Sequence, residues 1–304
     1  MTQPLPAIAA LLADAASAVP PAPDLTVSEL RAFCDEGVLS RLHLVREAGS
    51  LHDVQDLTSP GGVPVRLYLP SEGQLPLHVH LHGGGWWMGS IETVDPMCRE
   101  LAARSGMAVL SVDYRLAPEH PWPAAPDDVY EVVSWMAERF PSVSIGGESA
   151  GANLAAVVAL MARDRGGPRL VGQWLDVPAV DLHLPADDSV REYGTGFGLE
   201  VSQLGTITSW YAQDVDDPYV SPIRADLTDL PPAIVTTAEL DPLRDQGEAY
   251  ADALEQAGIP VVRRCTPGHI HGSTWLTGLD PSAAAWLDEL VGVLAGMHQP
   301  VTAR

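Results

Sequence analysis

The sequence predicts an α/β fold with a mostly parallel central sheet flanked by helices and a helical cap. Three observations predict it. From about residue 52 onward, short β-rich runs alternate with helix-length segments. Short apolar strands separated by helices are the signature of a parallel sheet covered on both faces. One stretch, about 183–222, breaks the alternation with a polar, Gly- and Asp-rich insertion. With 304 residues, 46 % of them hydrophobic, the chain can bury one large core, so a single domain over 1–304 is expected.

Residues 1 to about 50 read as helical pieces broken by Pro20, Pro21 and Pro23, with Leu30, Phe33, Val38 and Leu42 in an amphipathic stripe. The apolar stretch from Leu5 to Val19 has no Lys or Arg before Arg31 and is interrupted by Asp14, which makes a poor secretory segment. No run approaches the roughly 18 uninterrupted apolar residues of a membrane span. A cytoplasmic protein is expected. Strands are expected at Val63–Leu69, Leu77–Leu81, Ala108–Val112, Val143–Ile145, Leu170–Val177, Ala233–Thr237 and Pro260–Arg264. Helices are expected near 93–104, 127–139, 150–164, 243–257 and 282–296. The insertion holds a helical stretch around Val201–Ala212. An insertion at the C-terminal edge of a parallel sheet lies over the crevice where ligands bind, so 183–222 and 1–50 are expected to form the cap.

Lys and Arg number 17 against 40 Asp and Glu, a formal charge of −23. Such a surface repels phosphate backbones and anionic membranes, which excludes nucleic acid and membrane as expected partners. Cys34, Cys98 and Cys265 form no Cys-x-x-Cys pair, so neither a disulfide framework nor a thiolate zinc site is expected, and three free core thiols are.

Chemistry enters at Gly147-x-Ser149-x-Gly151, between a short strand and an Ala-rich helix. This is the pattern of a strand-to-helix turn that exposes a serine, with small residues two positions either side because a Cβ there would collide. The helix that follows brings its positive dipole end to the serine. Upstream, a strand ends in His82-Gly83-Gly84-Gly85-Trp86. Consecutive glycines let backbone N–H groups turn toward a developing oxyanion; Gly83 and Gly84 are the expected donors, with the Ala150 amide as a third. His78, His80 and His82 alternate along that strand and share a face, the pattern of a metal site. They have no local acidic partner, and the third already belongs to the glycine motif. No metal is expected.

A serine hydroxyl needs a base, and the base a carboxylate that holds its tautomer. Asp241 follows the apolar strand Ala233-Ile-Val-Thr-Thr, where a carboxylate points into the crevice; it also suits helix N-capping before Pro242. Asp245 reads as a first-turn helix charge. In Gly268-His269-Ile270-His271-Gly272, His271 is the expected base and His269 a loop histidine. Trp86, Trp87, Trp210 and Tyr211 are candidates for the substrate pocket, with plain core packing as the alternative for each.

Together these motifs resemble the hormone-sensitive-lipase-like branch of the α/β-hydrolases, including its bacterial carboxylesterases. Four blocks carry the resemblance: His82-Gly-Gly-Gly85, Asp113-Tyr-Arg-Leu-Ala-Pro-Glu-His120, Gly147-Glu-Ser-Ala-Gly-Ala-Asn-Leu154 and Asp241-Pro-Leu-Arg-Asp245. It covers roughly residues 60 to 297. It implies an α/β-hydrolase domain with a helical cap, no cofactor, and hydrolysis of short- to medium-chain carboxylic esters, a small-molecule ester being the partner. Members of the branch often dimerise through the sheet edge, so a homodimer is compatible with it. The same Ser149, His271 and Asp241 would equally serve an amidase, deacetylase or acyltransferase. A small-ligand receptor derived from this branch would have lost the base, which this chain keeps. Two positions depart from the pattern. Glu148 stands where Asp is more usual, with consequences for hydrogen bonding beneath the turn. Ser273 stands where an aromatic is common, which removes a wall near the base.

Overall fold

In the computed structural model, which describes residues 3–17, 21–22 and 24–299, eight strands form one sheet. They are β1 (Asp53–Thr58), β2 (Pro64–Leu69), β3 (Leu77–Leu81), β4 (Ala108–Val112), β5 (Val143–Glu148), β6 (Leu170–Asp176), β7 (Ala233–Ala238) and β8 (Val261–Thr266). Their spatial order is β1-β2-β4-β3-β5-β6-β7-β8. β2 runs antiparallel to both its neighbours, and every other pairing is parallel. This is the expected α/β-hydrolase sheet. β1 falls outside the expected runs: Asp-Val-Gln-Asp-Leu-Thr is an edge strand with no buried residue, so no apolar run marks it.

Alternation along β3 sorts the two layers. Leu77, Val79 and Leu81 face a core shared with α4 (Ala124–Ala137), α5 (Ala150–Asp164) and α8 (Arg244–Gln256). On the opposite face, Val109 of β4 and Trp174 of β6 pack with α3 (Ile91–Ser105) and α9 (Pro281–Met297). His78 lies against Trp174 and His80 against Trp275 on that second face. α5 is buried from Ala150 to Ala162, which its alanines permit by letting it lie close to the strands.

The N-terminal residues form α1 (Pro6–Ser17) and α2 (Val27–Leu39); Pro20 and Pro23, two of the expected breakers, lie outside the described residues. The expected stripe on α2 is only partly right. Phe33 is 44 % exposed, and the inward face carries Leu30, Arg31, Cys34, Asp35 and Val38. The insertion holds two helices, α6 (Asp188–Tyr193) and α7 (Val201–Tyr211), of which only α7 was legible. Ile8 of α1, Tyr193 of α6, Leu240 and Ile270 form one small apolar cluster, so both segments meet beside the loop that carries His271. The cysteines correct another expectation: all are free, but only Cys98 is in the core, Cys34 being half-buried and Cys265 exposed. Among the described residues no helix is long and apolar enough to cross a membrane.

Candidate active site

β5 ends at Glu148 and α5 begins at Ala150, leaving Ser149 alone in the turn at φ 56° and ψ −114°. Few non-glycine residues occupy that region, and its cost must be met by surrounding contacts. Those contacts are specific. Ser149 N–H donates to the Asp176 carbonyl at 2.8 Å, and the Ser149 carbonyl accepts from Asn153 N–H at 3.0 Å. A Cβ on Gly151 would lie 2.2 Å from the Leu81 carbonyl oxygen, so only glycine lets α5 start this close to β3.

The structure brings Ser149, His271 and Asp241 together from the ends of β5, β8 and β7. His271 Nε2 lies 2.9 Å from Ser149 Oγ, and His271 Nδ1 lies 2.8 Å from Asp241 Oδ2. Asp241 is fully buried, and its Oδ1 accepts the Leu243 N–H at 2.8 Å. It therefore braces the turn before α8 while its other oxygen faces the imidazole. Burial opposes charge on His271, but the Asp241 carboxylate prevails and holds the ring above its ordinary value of 6.5. Asp245 lies in the first turn of α8, as expected, and accepts Ser189 N–H from the insertion at 2.8 Å. His269 is a buried loop residue between Ser273 Oγ at 2.9 Å and Ser282 Oγ at 3.0 Å.

Gly84 adopts φ 109°, and a Cβ there would sit 2.3 Å from the Met88 carbonyl oxygen, so the loop after β3 is closed to side chains at this point. The main-chain N–H groups of Gly83 and Gly84 donate to no protein acceptor among the described residues. That of Ala150 heads α5, where no preceding turn can satisfy it. Gly84 and Ala150 line the same cavity as Ser149, while Gly83 packs against the Glu148 main chain. His82 supports this loop: its ring stacks on Tyr114 at 4.1 Å, and Tyr114 Oη donates to the His82 carbonyl at 2.8 Å. His78 Nδ1 is bonded to Ser144 Oγ at 3.0 Å. No group of three His, Cys, Asp or Glu side chains converges as metal ligands among the described residues.

Two cavities adjoin the site. One, of about 240 Å³, contains Ser149 and is walled by Trp86, Trp87, Leu182, Leu204 and Ile207, with Cys34 of α2 at its edge. The other, of about 340 Å³, lies on the far side of His271 and is walled by Leu11, Leu12, Val38, Met97 and Leu276. Trp210 and Tyr211 are not in either wall. Tyr211 is buried in a stack on Trp86 at 4.4 Å, and Trp210 meets Trp87 edge-on at 5.4 Å. The helical repeat of α7 aims Gln203, Leu204, Ile207 and Thr208 at the cavity and leaves these two aromatics behind the front pair.

Both departures from the family pattern resolve into contacts. Glu148 is half-buried and lines both cavities, and an added Cβ on Gly272 would meet its Oε1 at 2.8 Å. Its carboxyl thus sits beside the base loop, whereas hydrogen bonding beneath the turn is made by Asp176. Burial pushes the Glu148 carboxyl up to about 7, with His271 opposing and Asp176 and Asp241 adding. Ser273 is buried; its Oγ donates to the Ile270 carbonyl at 2.9 Å and accepts Ile270 N–H at 3.0 Å, stitching the loop.

Sequence reasoning missed Asp176. This buried carboxylate accepts from Thr236 Oγ1, from Thr274 Oγ1 at 3.1 Å and from Trp275 Nε1 at 2.8 Å, so it anchors the segment just after His271. Burial raises its carboxyl above the usual range against those hydrogen bonds. The signal that singled out Asp241, a carboxylate closing a buried strand, was present at the end of β6 as well.

A family model described as alpha/beta hydrolase fold matches residues 78–274. The carboxylic ester hydrolase LipN of Mycobacterium tuberculosis is 39 % identical over 288 residues, covering 88 % of this chain and 74 % of that protein. The carboxylesterase NlhH of the same organism is 40 % identical over 240 residues, covering 73 % of this chain and 74 % of its own. Among solved structures, the hyperthermophilic esterase from the archaeon Pyrobaculum calidifontis matches with a TM-score of 0.90 at 37 % identity, over 98 % of this chain and 99 % of that one. The strand order, the site at the ends of β5, β7 and β8, and these likenesses agree: the chain belongs to the α/β-hydrolase fold family, in its hormone-sensitive-lipase-like branch.

Proposed function

We propose that this chain is a serine carboxylesterase that hydrolyses short- to medium-chain esters through an acyl-enzyme. The observation that carries the reading is the unbroken line Asp241–His271–Ser149, at 2.8 and 2.9 Å, which ends in the cavity where the Gly84 and Ala150 amides stand free. His271 Nε2 takes the Ser149 proton as Oγ bonds to the ester carbonyl carbon. Negative charge moves to the carbonyl oxygen, where the Gly83, Gly84 and Ala150 N–H groups stabilise it; each such donor is worth about 10²- to 10³-fold in rate. The imidazolium returns its proton to the alcohol oxygen as the C–O bond breaks. Water then attacks the acyl carbon as His271 accepts its proton, and the imidazolium returns that proton to Ser149 Oγ as the acyl–Oγ bond breaks and the acid leaves. Asp241 stays ionised throughout and holds Nδ1–H in place.

The Ser149 cavity, at about 240 Å³, falls below the roughly 300–1,000 Å³ of pockets for drug-sized ligands and is walled by Trp86, Trp87 and Ile207. That favours short acyl groups. The cavity beyond His271 takes the alcohol, whose oxygen must meet the imidazolium. The described parts of 1–50, together with 183–222, act as the cap over both, through Cys34 of α2 and Leu204 and Ile207 of α7 in one wall and Leu11, Leu12 and Val38 in the other.

Ser149→Ala is expected to abolish ester turnover with the circular-dichroism spectrum unchanged; hydrolysis retained by the pure variant removes the reading. In a p-nitrophenyl ester series, activity is expected to fall well before the decanoate. Rates that keep rising beyond it contradict the acyl-size assignment alone.

A further inference from the structure

The run Asp113–His120 and helix α2 take no part in the chemistry above, yet both close on the loop that carries Gly83 and Gly84. Within itself this loop is thinly bonded: Trp87 N–H and Met88 N–H both donate to the Gly84 carbonyl, at 3.2 and 3.1 Å. Gly84, Gly85, Trp86 and Gly89 all have positive φ. A glycine-rich segment of this kind has many alternative backbone paths, so something outside it must select one.

Two outside elements do so. On one side, Ala117 N–H donates to the Trp86 carbonyl at 2.9 Å. On the other, α2 presents a cation and an anion one turn apart. Arg31 Nε donates to the Trp87 carbonyl at 2.6 Å, while its Nη2 reaches the Ala117 carbonyl at 2.9 Å and Glu119 at 2.5 Å. Asp35 Oδ1 accepts the Gly89 N–H at 3.0 Å. One guanidinium therefore ties the loop to the Asp113–His120 run, and a carboxylate four residues on holds the loop's far end. Carbonyl held by cation and amide held by anion fix the tilt of the peptide planes between Trp87 and Gly89. Charge-assisted bonds of this type are about twice as strong as neutral ones.

We propose that Arg31 and Asp35 are positioning residues for the oxyanion-binding loop, so that α2 contributes to transition-state stabilisation and not only to enclosing substrate. An oxyanion site works because its donors need no reorganisation when charge develops. Displacement by about 1 Å can cost ~10²-fold in rate. A loop released at Trp87 and Gly89 loses that preorganisation while the Ser149–His271–Asp241 line stays intact. The proposal rests on the serine-esterase reading.

The test compares Arg31→Ala, Asp35→Ala and the conservative Arg31→Lys and Asp35→Asn. All rates are expressed per active site titrated to completion with a fluorophosphonate, which removes any misfolded fraction from the comparison. For Arg31→Ala, kcat is expected to fall about 10-fold and the Ki of an alkyl boronic acid, which forms a tetrahedral adduct on Ser149, to rise about 10-fold, with KM within about twofold. Arg31→Lys and Asp35→Asn, which keep a donor and an acceptor, are expected to recover most of the loss. Unchanged kcat and Ki per titrated site overturn the proposal, whatever happens to the melting temperature. So does a rise in KM alone, which would mean that α2 merely walls the pocket. If Arg31→Ala does not fold, Asp35→Ala decides by the same two readouts, with an expected change of about threefold for one lost hydrogen bond. Wild-type protein that never reacts with the phosphonate defeats the esterase reading itself, whereas wild-type protein that reacts alongside unaffected variants defeats only this inference.

Discussion

The turn at Ser149 and the glycine loop after β3, the proposed nucleophile and oxyanion sites, adjoin and are held in different ways. Ser149 is held by sterics written into its own neighbourhood. Gly147 and Gly151 let β5 and α5 approach Leu81, and the strand ends leave the serine at φ 56° with no other path for the chain. The loop after β3 is crowded at Gly84 and Gly89, but only against its own Met88 and His82, which does not fix it to the rest of the fold. Its path is selected by polar groups from 31 to 56 positions away in sequence, Arg31 and Asp35 on α2 and Ala117 beyond β4. The difference teaches that rigid covalent chemistry and charge stabilisation can be entrusted to different parts of one fold. In the proposed enzyme the first rides on the sheet, and the second depends on a peripheral helix.

The largest effect should come from breaking the sheet-borne half. Asp241→Asn keeps an oxygen for Leu243 N–H, so the turn before α8 survives. The amide, however, no longer stabilises the imidazolium and favours the wrong tautomer of His271. A drop of about 10⁴-fold in kcat is expected, the size found when a triad carboxylate is neutralised without moving it. A melting temperature close to wild type would accompany it. A loss of less than tenfold would mean that the 2.8 Å contact between His271 and Asp241 is not what makes the ring a base.

Gly151→Ala tests the steric half directly. Its Cβ would stand 2.2 Å from the Leu81 carbonyl oxygen and 2.5 Å from that of His82, and both obstacles are backbone. Either α5 shifts or the end of β3 does. A stability loss of about 1–3 kcal/mol is expected in urea titration, the range for overpacking a well-filled site. Because Ala150 and Ser149 move with α5, activity should fall together with stability, unlike the separation expected for Arg31→Ala. An alanine variant with wild-type stability would show that the turn is looser than its geometry implies.

The same contrast explains what sequence alone could show. Gly147-x-Ser149-x-Gly151 is legible because one tight turn demands small residues at fixed spacing, and the central parallel strands are legible because burial on both faces keeps them largely apolar. Asp241 and His271 follow from where strands end. Features set by distant partners left no local mark. Arg31 and Asp35 look like ordinary charges on an amphipathic helix, so α2 was expected to turn Phe33 inward rather than these two. Trp210 and Tyr211 sit near the cavity in sequence terms, but the helical repeat of α7 puts them behind Trp86 and Trp87. β1 was hidden because an edge strand keeps polar residues. Asp176 carried a mark, as a carboxylate closing a buried strand, but what it anchors was not legible, since Thr274 and Trp275 arrive from 98 and 99 positions further on.

Glu148 belongs to both halves, since it precedes the nucleophile and packs against Gly83 and Gly272. Replacing it should therefore sharpen the comparison with the smallest effect. In the proposed mechanism His271 acts as a base only when neutral, so kcat/KM is expected to fall as pH drops through its pKa, which stands above the ordinary 6.5. An anionic Glu148 is one of the charges that raise it, after Asp241. Removing that charge lets the ring lose its proton more readily, so in Glu148→Gln the acid limb should move to lower pH. Its own carboxyl, pushed up to about 7, titrates in the same range, so the wild-type limb should be broader than a single-proton curve and the variant's should narrow. Since Glu148 makes none of the bonds in the Asp241–His271–Ser149 line, the plateau rate should stay within about threefold of wild type. A pH–rate profile of both proteins with one p-nitrophenyl ester decides. An acid limb that stays put, or moves to higher pH, would place the Glu148 charge outside the electrostatic reach of the base.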